Sequence, residues 1–174
     1  ITADQITFGA NSDHTSAGVT LNGSIVNYGD MHYNSGSTLV GGGLTNAATG
    51  NVTVSAALDA DDYNIINKGD FLVTSTGRLN NVNSLENLNN FTINTSGAVT
   101  AQTAKNTAGT LSIGGKLNAP LTNARGARVR LVNDGELNGT LNNAGILTGT
   151  GSVTGKLTNS GRIVVATGDS IATN

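Results

Sequence analysis

The feature that most constrains this chain is an alternation that does not stop. From Gly109 to Val165 the odd-numbered residues are aliphatic, Gly, Ala or Asn, with Arg125 the one exception, while the even positions are mostly Thr, Ser, Asn, Lys, Arg, Asp and Glu. Period two puts alternate side chains on opposite faces of an extended backbone, one face dry and one wet. A single strand runs about five or six residues, so no one strand can carry this parity through 109–165. Short strands joined by parity-preserving corners can, if the odd side chains always face one interior. The pattern predicts an all-β fold, a β-solenoid.

A short phrase punctuates the alternation. Leu121-Thr122-Asn123, Leu131-Val132-Asn133, Leu141-Asn142-Asn143 and Leu157-Thr158-Asn159 each precede a Gly by two or three residues. Their starts lie 10, 10 and 16 residues apart, all even, as one interior requires. The phrase recurs upstream at Ile25-Val26-Asn27, Leu44-Thr45-Asn46 and Ile65-Ile66-Asn67. Spacings near 20 predict a coil of about 20 residues per turn, about 7–8 turns and a rod of roughly 35–40 Å. The inward Asn requires a physical account, because a buried amide without partners costs about 1–3 kcal/mol. Asn123, Asn133, Asn143 and Asn159 are expected to stack at a turn, bonding one another and the corner backbone.

Composition agrees. Charged residues make up 11% and aromatics 3%, too few large side chains for a globular core. A single Pro and the sparse charge are equally unlike disorder. A solenoid needs only one layer of medium aliphatics per turn, and its 24 Gly, with Asn, suit tight corners. A net charge of −2 argues against nucleic acid or an anionic membrane surface as partner. The absence of Cys excludes disulfide and thiol chemistry. No apolar run approaches the ~18 residues of a spanning helix, and no leader is visible. The chain starts and stops in mid-pattern, so residues 1–174 are expected to be a single β-helix segment of a longer protein.

Upstream, Ile6 and Phe8 mark a first strand, and the inward series then runs Leu21, Gly23, Ile25, Asn27, Gly29, Met31, Tyr33. At Gly41-Gly42-Gly43 it slips to even numbers (Leu44, Asn46, Ala48, Gly50, Val52, Val54, Ala56, Leu58), as one extra residue in a bulge would cause. Asp59-Ala60-Asp61-Asp62 forms a polar corner, after which odd parity returns through Ile65, Asn67, Gly69, Phe71, Val73, Gly77, Leu79, Asn81, Leu85, Asn87, Asn89, Phe91, Ile93, Gly97 and Val99. Residues 84–90 admit at most one helical turn. Ala101–Thr107, where Lys105 falls on the inward parity, reads as a loop.

Motifs that could carry chemistry resolve to structure. Asp59, Asp61 and Asp62 lack the recurring Asp-rich nonapeptide of calcium-binding rolls and read as a solvated corner. His14 and His32 are too few and too far apart for zinc and are expected to be exposed. Gly41-Gly42-Gly43 and Gly114-Gly115-Lys116 lack the following helix of a phosphate loop. Polysaccharide-cleaving β-helices need carboxylates and cations in one groove; here Arg125, Arg128 and Arg130 have only Asp134 and Glu136 nearby, and the even members read as an outward charge ladder. Tyr28, Tyr33 and Tyr63 are few for sugar stacking, and Phe8, Phe71 and Phe91 read as buried. Thr148, Thr150, Ser152, Thr154 and Thr158 form a hydroxyl-rich row that could order ice-like water only if flat and in register across many turns.

Leu141-Asn142-Asn143-Ala144-Gly145-Ile146-Leu147-Thr148-Gly149 and Leu157-Thr158-Asn159-Ser160-Gly161-Arg162-Ile163-Val164-Val165 resemble the degenerate repeats of large secreted bacterial adhesins, the autotransporter passengers and the filamentous-haemagglutinin-like exoproteins of two-partner secretion. The resemblance extends over about Leu44 to Val165. It implies a right-handed parallel β-helix, export through an outer-membrane transporter, and a secreted or cell-surface location. It also implies attachment or self-association through polar flanks, with a host or surface receptor, a glycan or sister chains as partners. No catalytic, cofactor-binding or metal residue is expected, and no binding residue is assigned. A polysaccharide-degrading β-helix enzyme or phage tailspike is the alternative, with an ice-binding solenoid behind it.

Overall fold

The computed structural model describes residues 1–173. They form an all-β parallel solenoid of about 9 turns with roughly 19 residues per turn. This is slightly more turns than the phrase spacing predicts, because the first turn, with Phe8 at the Asn position, does not carry the phrase. Each turn contributes three strand segments, and each segment stacks in parallel register on its counterparts, giving three faces.

The first is a ladder face. Its inward positions run Ile6, Ile25, Leu44, Ile65, Leu85, Ala104, Leu121, Leu141 and Leu157 in strict register. Two residues on, Phe8 is followed by Asn27, Asn46, Asn67, Asn87, Asn106, Asn123, Asn143 and Asn159. The second face holds Asp13–Ser16, Asp30–Tyr33, Asn51–Val54, Asp70–Val73, Asn90–Ile93 and Thr110–Ile113, then the start of Arg128–Asn138, the start of Ile146–Val153, and Arg162–Val164. On the third, Leu58, Leu79, Val99, Leu117, Leu137 and Val153 stack inward. Turns are numbered one to nine from the N-terminus by their segments on the second face.

The inward aliphatics make one dry column, with Leu131 and Leu141 fully buried and Leu157 packed against its end. Phe71 and Phe91, on adjacent turns, stack with ring centroids 4.6 Å apart and planes 10° from parallel. Identical side chains one turn apart meet face to face because parallel register repeats them at the strand spacing.

The polar interior is satisfied in the same way. Each ladder Asn donates from Nδ2 to Oδ1 of the next, at 2.9 Å from Asn27 to Asn46, 2.9 Å from Asn46 to Asn67, 2.9 Å from Asn67 to Asn87 and 2.8 Å from Asn87 to Asn106. The series continues at 2.9 Å to Asn123, 2.7 Å to Asn143 and 2.6 Å to Asn159. Each Nδ2 also meets a carbonyl of its own corner or of the following turn; for Asn67 these are Gly69 O at 3.0 Å and Asn90 O at 2.8 Å. A buried amide with both hydrogens and its oxygen engaged avoids the desolvation penalty. The corner beside it must be narrow: a Cβ on Gly69 would lie 2.2 Å from Gly50 O.

The parity slip at Gly41–Gly43 is real, since Leu39, Gly42 and Leu44 are all buried. So is the polar corner at Asp61 and Asp62, which adopt φ of 47° and 62°. Several expectations are corrected. Asn133 is not in the ladder: it is exposed, with φ 50°, on the corner after the second face. Asn81, with φ 52°, likewise points out, and Val82 takes the interior. Residues 84–90 hold no helical turn but the end of the strand Arg78–Asn87. Ala101–Thr107 is not a loop: it lies almost wholly in the strand Ala98–Asn106, where one extra residue lets Ala101, Ala104 and Asn106 face inward and Lys105 outward. Ala48 is exposed and Ala56 half-buried, because both sit in corners. In the last turn Asn159, Ile163 and Val165 are exposed, having a stacked neighbour on one side only.

Candidate binding surface

With the interior filled, chemistry can reside only on the outward residues and the corners. On the ladder face, Lys105 Nζ lies 3.9 Å from Glu86, whose carboxylate also accepts from Thr107 Oγ1 at 2.6 Å. On the third face, Lys116 Nζ lies 3.0 Å from Glu136 on the adjacent turn. The second face carries Asp13, Asp30, Asn51, Asp70, Asn90, Thr110, Arg128, Ile146 and Arg162 in one outward register. Asn51 Nδ2 donates to Asp30 at 2.7 Å and Asn90 Nδ2 to Asp70 at 2.9 Å, so carboxylates and amides alternate over turns two to five. His32 lies 3.9 Å from Asp13. We call this the charged face.

The corner between the charged and third faces is uneven. The backbone loops outward from Ile93 to Val99 and from Leu131 to Leu137, but between Ile113 and Leu117 it passes through only Gly114, Gly115 and Lys116. The short corner leaves a cleft of about 370 Å³ lined by Arg78, Thr95, Ser96, Lys116, Asp134 and Glu136. Asn133 Nδ2 reaches across it to Thr95 Oγ1 at 3.4 Å. A second cleft of about 430 Å³, beyond the Asn133–Asp134 ridge, is lined by Arg130, Thr148, Thr150 and Asp169 among others.

The residues singled out in the sequence land as follows. Asp59 accepts from the Asp61 amide and from Asn81 Nδ2, each at 3.0 Å, and Asp62 accepts from Gln102 at 3.3 Å, a polar corner that braces neighbouring turns. Among the described residues, no three His, Asp or Glu side chains converge on a site that could hold a metal ion. His14 is not exposed: it is half-buried beneath Phe8, ring centroids 4.6 Å apart, with its Nε2 buried and unpartnered. Phe71 and Phe91 are buried and Phe8 half-buried. Tyr33 is fully enclosed, its hydroxyl has no partner, and burial raises its pKa. Gly114-Gly115-Lys116 forms the cleft floor. Arg128 and Arg130 lie on the charged face, Arg125 is exposed, Asp134 sits on the corner and Glu136 pairs with Lys116, so these groups are divided between surfaces rather than joined in one ladder. The hydroxyl row is divided too. Thr148 is on the charged face and Ser152 on the third face. Thr158 is on the ladder face, and Thr150 is bonded to Asp169 at 2.8 Å.

Sequence reading missed the charge column and the clefts. The column becomes legible only when successive turns are aligned by the ladder Asn; the clefts arise from differences in corner length between turns.

No protein-family model matches the chain, and no curated protein or solved structure is significantly similar to it. The fold alone defines the class: a β-solenoid repeat domain.

Proposed function

We propose that this domain is a structural and adhesive segment of a bacterial surface or secreted adhesin, a stiff rod that makes many weak side-on contacts rather than one catalytic contact. The observation that carries this reading is the unbroken Asn ladder from Asn27 to Asn159, which ties each turn to the next and holds the outward polar faces in register. A rod so tied resists bending and presents repeated weak contacts whose avidity exceeds any single one. The adhesin-like phrases, the absence of Cys, which suits export of an unfolded chain, and the small polar outward side chains support the same reading. Its partners would be a host or surface receptor, a glycan or sister chains, and its place the cell surface or the medium. The domain is proposed to be non-enzymatic: of the two carboxylates that line the cleft, Glu136 is held by Lys116 at 3.0 Å and Asp134 sits exposed on the corner.

A glycan and matrix-protein binding screen, run beside a self-aggregation assay, tests the proposal. Saturable binding or aggregation is expected. Neither one, or cleavage of any polysaccharide on incubation, overturns it.

A further inference from the structure

On the ladder and third faces opposite charges meet in one local pair each, Lys105 with Glu86 and Lys116 with Glu136. On the charged face they are kept apart. Its carboxylates, Asp13, Asp30 and Asp70, lie on turns one, two and four. Its guanidinium groups, Arg128, Arg130 and Arg162, lie on turns seven and nine. Turns five and six between them present only Asn90, Thr92, Thr110 and Ser112. Among the described residues, none of the three arginines forms an ion pair. The chain repeats the asymmetry, since residues 1–67 contain no Lys or Arg.

We propose that the charged face docks on the same face of a second copy of this chain, antiparallel, about a two-fold axis between turns five and six. Asp30 and Asp70 are two turns apart, and so are Arg128 and Arg162. That axis therefore sets Asp30 of one copy opposite Arg162 of the other and Asp70 opposite Arg128, and the symmetry makes each pair twice. A parallel alignment puts like charge on like. The face is about 40 Å long and two outward residues wide, and covers on the order of 500 Å² per copy, below the ~800 Å² of a standard interface. The dimer is accordingly weak. Its pairs are exposed and screened by salt, so orientation, more than strength, is what the charges supply. This deepens the self-association named in the preceding section and rests on it for its setting.

The test is sedimentation velocity of the protein in about 20 mM and about 300 mM NaCl, salt levels that move the Debye length from ~20 Å to ~6 Å. Dimerisation is expected at low salt and at least about tenfold weaker at high salt. The double variant Asp30→Arg/Asp70→Arg and the double variant Arg128→Asp/Arg162→Asp should each be monomeric, and an equimolar mixture of the two should associate. Circular dichroism checks that both are folded. As the chain has no cysteine, Thr53→Cys mixed with Thr148→Cys reports orientation: turns three and eight oppose one another in the antiparallel dimer. Cross-linking between the two variants, but not of Thr53→Cys with itself, is expected, and it holds whether or not the charge variants fold. A protein monomeric at low salt, charge variants that associate like the parent, a mixture that stays monomeric, or self-cross-linking of Thr53→Cys overturns the proposal. A non-associating variant that still binds in the glycan and matrix screen leaves the adhesive reading standing.

Discussion

Asn67→Asp is a sharp probe of the ladder, because it changes one group and almost no volume. In the native chain Asn67 is fully buried; its Oδ1 accepts from Asn46 at 2.9 Å, and its Nδ2 meets Gly69 O at 3.0 Å, Asn87 Oδ1 at 2.9 Å and Asn90 O at 2.8 Å. The substitution retains the acceptor but sets an oxygen where three oxygens converge. At least two acceptors lose their donor, at about 1–3 kcal/mol each, or roughly 2–6 kcal/mol before any charge is counted. A desolvated carboxylate adds several kcal/mol, so the folded state favours the protonated acid, whose one O–H restores one bond. The introduced group therefore has a folded pKa above its unfolded value of about 3.9. Below that unfolded value both states are protonated and the smaller penalty applies. As pH rises towards the folded pKa, the unfolded state ionises first and stability falls by about 1.4 kcal/mol per pH unit. Urea unfolding followed by circular dichroism should show a loss, relative to the parent, that grows by up to about 4 kcal/mol between pH 4 and 7. Asn67→Ala, which removes the same bonds without a titrating group, should be destabilised by a pH-independent amount. A loss under about 1 kcal/mol at pH 7, or the same pH dependence in both variants, refutes the claim that the buried amides hold the turns together.

Further outcomes are measurable by the same unfolding assay. Tyr33→Phe should be neutral or stabilising by about 1 kcal/mol, since it removes a buried hydroxyl that has no partner. Phe91→Ala should lose about 3–5 kcal/mol, through the cavity it leaves and the stacked partner it takes from Phe71. Gly69→Ala should lose about 3 kcal/mol or more, because the atom its Cβ would strike at 2.2 Å is backbone, not a side chain that can swing aside. Lys116→Ala should change stability by less than about 1 kcal/mol, the pair with Glu136 being half open to solvent.

What the sequence determined by itself is whatever depends on one turn. Period-two alternation decides which side chains face in, so Leu131, Leu141 and the buried phenylalanines were legible from position alone, as was the slip at Gly41–Gly43, where one extra residue reverses parity. The recurrent phrase, Leu or Ile two residues before Asn, located six of the eight ladder members and parity placed a seventh, Asn87, because an inward amide before a tight corner has few other ways to be satisfied. What the tertiary structure decided is whatever depends on the adjacent turn. Leu131-Val132-Asn133 reads like Leu121-Thr122-Asn123, yet Asn123 lies between Asn106 and Asn143, while the residue stacked next to Leu131 on one side is Ile113, followed by two glycines. Without an amide above or below, burying Asn133 would leave its hydrogens unpaired, and it turns out to water. The charge column has the same origin. Asp70 and Arg128 are 58 positions apart in the chain and share a face only because successive turns of unequal length come into register, a relation that no local pattern of residues encodes.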